Sequence, residues 1–100
     1  MELEIFISQT ARAELDKLLE NSDKKYIRVL TRRPSIYEQA TFDLELDEVK
    51  SNDITFFVDD YKVIIEVNLA SQLESVSISY GGLFSRDKFC VDADLGIFRY

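Results

Sequence analysis

A chain of 100 residues is long enough for one hydrophobic core and too short for two, so residues 1–100 are expected to form one domain. With 46% hydrophobic residues, three glycines and one proline, disorder and collagen-like repeats are excluded. The net charge of −7 sets the chain against broad binding to a phosphate backbone, and no nucleic-acid partner is expected.

No apolar run approaches the ~18 residues needed to cross a bilayer, so no membrane association is expected. The N-terminus MELEIFISQT lacks the positive flank and cleavage pattern of a secretion signal. One cysteine cannot close an internal disulfide, and a reducing, cytoplasmic location is the default expectation.

The chain opens with an alternation in which Leu3, Ile5 and Ile7 face one way and Glu2, Glu4 and Phe6 the other, the period of a half-buried strand. Ser8 can accept from free backbone amides and is the expected cap of a helix from about Gln9 to Glu20. Ala11, Leu15, Leu18 and Leu19 make its apolar face, with Arg12, Asp16, Lys17 and Glu20 off that face. Asn21-Ser22-Asp23 breaks it. Tyr26 to Leu30 returns to strand character. In Thr41–Glu45 and beyond, Phe42, Leu44 and Leu46 alternate with polar residues, the cleanest strand signal in the chain. Ile54–Val58 and Tyr61–Val67 read as a hairpin across Asp59-Asp60. Asn68–Glu74 suits one or two helical turns, followed by a strand from Val76 to Tyr80, a Gly81-Gly82 turn and an extended piece around Lys88 to Val91. No linker or repeat is evident.

Charge is segregated along the chain. Lys24, Lys25, Arg28, Arg32 and Arg33 fall within ten residues free of acids, whereas Glu38 to Asp60 holds eight acids and only Lys50. Solvated strand ends and loops explain such runs most simply. Alternatively, the segregation suits an acidic partner protein, or the two patches meet across a self-association interface.

This element order predicts an α+β domain of mostly antiparallel or mixed β-sheet, with one N-terminal amphipathic helix packed on it. The chain also resembles a known family, the A-type iron–sulfur carriers or HesB-like proteins. The similarity runs through ISQTARAELDKLLE, where that family has a capped helix of like pattern, and YIRVL, its next strand. It continues through FDLELDE, its Y-x-L-x-F/L-D/E stretch; YKVIIEV, its V-x-V-D strand; and SISYGGLFSRDKFCV, its I-D-Y segment and following strand. What matches is a pattern of apolar positions over nearly the whole chain, and the resemblance implies a HesB-like β-sandwich-type domain.

In that family three cysteines carry the function: one in the loop before the FDLELDE-like strand, within G-x-C-x-G, and two in a C-terminal Cys-Gly-Cys. Iron–sulfur clusters are held chiefly by thiolates. Counting back from Phe42 puts Tyr37 where the first cysteine would stand, and Glu38-Gln39 where the family has its small residue and glycine. The tail VDADLGIFRY keeps Gly96 and has no cysteine. Cys90 sits on a strand before the family's cysteine pair, so no ligand role carries over to it. The resemblance therefore implies a relative with the scaffold and without the ligands, and no cofactor or metal is expected.

Four residues remain as candidates for binding. Arg32 and Arg33 have planar forks suited to a carboxylate or phosphate, although arginines before Pro34 also make a soluble turn. A phenol at Tyr37 is a weak iron ligand and more often packs or bonds through its hydroxyl. Cys90, between Phe89 and Val91, is either a buried or half-buried small hydrophobe or a reactive thiol.

With no histidine, a Cys-His nucleophile is impossible. Asp47-Glu48, Asp53 and Asp59-Asp60 fit no EF-hand spacing and read as solvated strand ends and turns. No catalytic residue stands out and a non-enzyme is expected. Two readings follow: a binding or adaptor protein related to iron–sulfur cluster assembly, or a self-associating module, for instance a homodimer, that binds a small anion or protein partner. Phe98 and Tyr100 would serve the second by burial in a neighbouring subunit. An enzyme working through paired carboxylates is a weaker third, needing two acids in one cleft.

Overall fold

The computed structural model describes residues 3–32, 41–81 and 88–95, the last without the Leu95 side chain. Its elements are β1 (Glu4–Ile7), α1 (Gln9–Glu20), β2 (Tyr26–Arg32), β3 (Thr41–Asp47), β4 (Asp53–Val58), β5 (Tyr61–Glu66), α2 (Val67–Ala70), β6 (Leu73–Tyr80) and β7 (Phe89–Leu95). The strands form a three-stranded sheet, β1-β6-β7, and a four-stranded sheet, β3-β2-β5-β4. Pairing is antiparallel except for β1 with β6 and β2 with β5. The α+β class with mixed sheets is thus as the sequence predicts.

The two sheets and the helix share one core, lined by the inward-facing residues of the strands. Ile7, Val76, Ile78 and Val91 face inward from the smaller sheet, and Ile27, Val29, Leu44, Val63 and Ile65 from the larger. Ala11 and Leu15, spaced i and i+4, are fully buried and seat α1 on that core. Ser8 caps the helix as expected, its Oγ accepting from Ala11 N at 3.1 Å, while Ser8 N donates to Ile78 O at 2.9 Å and ties the cap to β6.

Several boundaries depart from the sequence expectation. Leu18, assigned to the apolar face, is exposed and Leu19 only half-buried, since the helix meets the core along the narrow Ala11/Leu15 seam. Helical turns stop at Ala70, and Leu73 and Glu74 belong to β6, where Leu73 pairs with Leu95 and is buried. β7 runs on to Leu95 rather than ending near Val91.

The Asp59-Asp60 hairpin forms with Val58 opposite Tyr61. Asp59 takes φ 54°, a left-handed conformation that Asp accepts more readily than most residues. Arg12, expected at the surface, is half-buried. Its Nε donates to Ile7 O at 3.0 Å, its Nη2 meets Asp59 Oδ2 at 2.6 Å, and its guanidinium lies 5.6 Å from the centre of the Tyr61 ring. The Tyr61 hydroxyl donates to Asp16 Oδ1 at 2.7 Å. Helix and hairpin are locked together by these contacts.

Candidate binding surface

The outer face of the larger sheet gathers the charges that segregate in sequence. Because β2 and β3 are antiparallel, with Arg28 opposite Glu45 and Leu30 opposite Asp43, the basic run lies directly against the acidic one. Arg28 sits mid-strand at 9% exposure. Its Nε donates to Asp47 Oδ2 at 2.7 Å, its Nη1 and Nη2 grip Asp53 Oδ1 and Oδ2 at 2.8 and 2.6 Å, and Nη2 also reaches Glu48 O at 3.2 Å. A bidentate fork of this kind is the strongest geometry open to the pair.

Asp47 ends one edge strand and Asp53 begins the other. The connection between them, residues 48–52, therefore lies across the outer face with Arg28 beneath it, holding both ends. Ile64, beside Arg28 in the β2–β5 register, is fully buried on the same face.

Electrostatics follow the geometry. Bonds from the Glu48 amide and from Arg28 hold the Asp47 carboxyl at a pKa of about 2. Asp53, whose side chain is 1% exposed, is likewise held below the usual carboxylate range, chiefly by Arg28 and also by the Lys50 amide. The sequence reading of Arg28, Asp47 and Asp53 as solvated charges is thus overturned. The i, i+6 spacing of the two aspartates across a non-helical connection gave no sign that one arginine held both. Arg28 and Arg32 find acids within the chain, as does Lys24, 3.4 Å from Glu48. The idea that the basic and acidic runs form two separate patches is corrected accordingly: strand pairing brings them together in one molecule.

The candidate residues fall in two places. Arg32 ends β2 opposite Thr41, its Nε donating to Asp43 Oδ2 at 2.7 Å and its Nη2 to Glu45 Oε1 at 2.8 Å. Thr41 Oγ1 donates to Arg32 O at 3.4 Å. These contacts close the base of the β2–β3 connection, in which Arg33 and Tyr37 lie outside the described residues.

Cys90 lies on β7 opposite Ser79, half-buried, on the face of the smaller sheet turned away from the core. Its neighbours on that face are Asp92, with Oδ2 3.8 Å from the sulfur, and the serines of β6. The flanking Phe89 and Val91 turn inward, and Phe89 packs edge-on against Tyr80 with centroids 4.8 Å apart. Arg32 and Cys90 thus belong to different sheets.

Among the described residues there is no cavity and no group of three acids or cysteines close enough to hold a metal ion. One chain offers an iron–sulfur cluster a single thiolate, in Cys90, which does not fit the several that such a cluster requires.

The architecture is the HesB-like fold. It is similar to Escherichia coli SufA, a protein involved in biosynthesis of iron–sulfur clusters, with a TM-score of 0.70 at 11% identity over 89% of this chain and 79% of that one. It is also similar to IscA in a structure with the 2Fe–2S cluster, with a TM-score of 0.66 at 17% identity over 92% of this chain and 85% of that one. No family profile and no curated protein matches the sequence.

Proposed function

We propose that this protein is a non-enzymatic binding or adaptor protein related to iron–sulfur cluster assembly, using the carrier scaffold without carrying a cluster itself. One observation supports the reading above others: a chain with the SufA fold over 89% of its length has a single cysteine. The resemblance puts Tyr37 where a carrier has its first cysteine, and the C-terminal tail has none. Such a scaffold acts through its surface, on a partner in cluster assembly or on a client of it.

The test has two parts under anaerobic conditions. Reconstitution with iron and sulfide should leave the protein colourless and free of stoichiometric acid-labile sulfide. Capture from native cells should recover an assembly component or an iron–sulfur client. A brown product with bound sulfide would overturn the loss of cargo. Recovery of neither kind of partner, while a true A-type carrier recovers both, would overturn the tie to assembly.

A further inference from the structure

Strand β4 lacks the features that usually guard a sheet edge. It is the outermost strand of the larger sheet and joins β5 through a two-residue turn. In such a hairpin the ladder bonds to β5 are exchanged by Val58, Phe56 and Ile54, opposite Tyr61, Val63 and Ile65. The backbone N–H and C=O of Thr55 and Phe57 therefore point off the edge. Among the described residues they have no hydrogen-bond partner there.

Natural edges are protected by charges, prolines or bulges, and Ile54-Thr55-Phe56-Phe57-Val58 has none of these. Phe57 is 76% exposed, more than any other large apolar side chain described. It stands beside Lys62 at the end of an outer-face row that continues to Tyr26, over whose ring Lys62 Nζ lies at 5.3 Å.

We propose that β4 pairs with β4 of a second copy of this chain, antiparallel about a two-fold axis near Phe56, joining two four-stranded sheets into one. The free groups are their own complement: Thr55 of each copy lies opposite Phe57 of the other, and the two pairs exchange their outward bonds. No like charges oppose one another across the uncharged stretch, although each chain carries −7. In this register the acidic tip Asp59-Asp60 of one copy reaches the other copy's 48–52 connection. There Lys50 is 65% exposed and Asp53 is already neutralised by Arg28. The inference rests on the β4 edge alone and is independent of the tie to cluster assembly.

Sedimentation over a wide range of concentration tests it, with Phe57→Lys and Thr55→Pro alongside the unchanged chain. Phe57→Lys places a charge at an exposed site, and Thr55→Pro removes an amide that points away from β5, so both variants keep the intrachain ladder. The unchanged chain is expected to pass from monomer to dimer, and each variant to raise the dissociation constant by about tenfold or more. Amide exchange at Thr55 and Phe57 should slow as dimer forms, a reading that needs no variant to fold. A chain that stays monomeric throughout, a dimer unaffected by both substitutions, or exchange at these two amides independent of concentration would each overturn the proposal.

Discussion

Among the described residues, Arg28 is the buried cation of the larger sheet. Its guanidinium bonds the carboxylates at the ends of two strands on opposite edges, Asp47 and Asp53. Removing it leaves the Asp53 carboxylate buried without its cation, a loss that typically costs about 3–5 kcal/mol. Arg28→Met is therefore expected to shift the denaturant midpoint strongly downward. Arg28→Met with Asp53→Leu should recover part of the loss, because the orphaned charge is gone. Denaturant titration of the three proteins measures both effects.

The same contacts fix a pH dependence. Asp47 and Asp53 titrate lower in the folded chain than unfolded, so their contribution is complete above the ordinary carboxylate range and drains as pH falls toward about 2. Acid titration of stability should show this slope in the unchanged chain and a shallower one in Arg28→Met.

Tyr61 acts at the other end of the scale. Burial and the nearby Asp16 carboxylate push its phenol up to about 12. The raised value means that its contribution is intact below the ordinary phenol range and is lost as pH rises from about 10 to 12. Tyr61→Phe should flatten the stability profile over that window, as followed by circular dichroism.

At the scale of elements, local signals and tertiary demands can be told apart. Ser8 is a cap by local chemistry, and Ser8→Ala should lower stability by about 1 kcal/mol, measured by thermal melting. The alternation of Phe42, Leu44 and Leu46 identifies β3 because one face of that strand meets the core and the other meets Arg28 and Arg32. The start of β6 was not legible in the same way: NLASQLE has helical composition throughout. Only the pairing of Leu73 with Leu95, and its burial, draws the last residues into the sheet. Leu18 misled for the opposite reason. Its spacing suits the apolar stripe, yet helix width relative to the core is set by what lies across from it, which periodicity cannot report.

At the scale of the whole molecule, a fold shared with SufA and IscA is combined with one thiol and a net charge of −7, and the described arginines are engaged by acids within the chain. The prediction at this scale is that iron and sulfide will not load the chain stoichiometrically, as acid-labile sulfide analysis will read. The order of its elements and the core-facing positions of β1 and β3 were determined by the sequence alone, since period-two alternation and a capped helix are local properties of the chain. The count of sulfur donors was likewise written there. Tertiary structure alone decided that Lys24–Arg32 would lie against Asp43–Glu48, that Arg28 would be buried between Asp47 and Asp53, and that β4 would be left at an edge. Each of these depends on which strands become neighbours, and strand pairing joins residues far apart in the chain that no local pattern marks as partners.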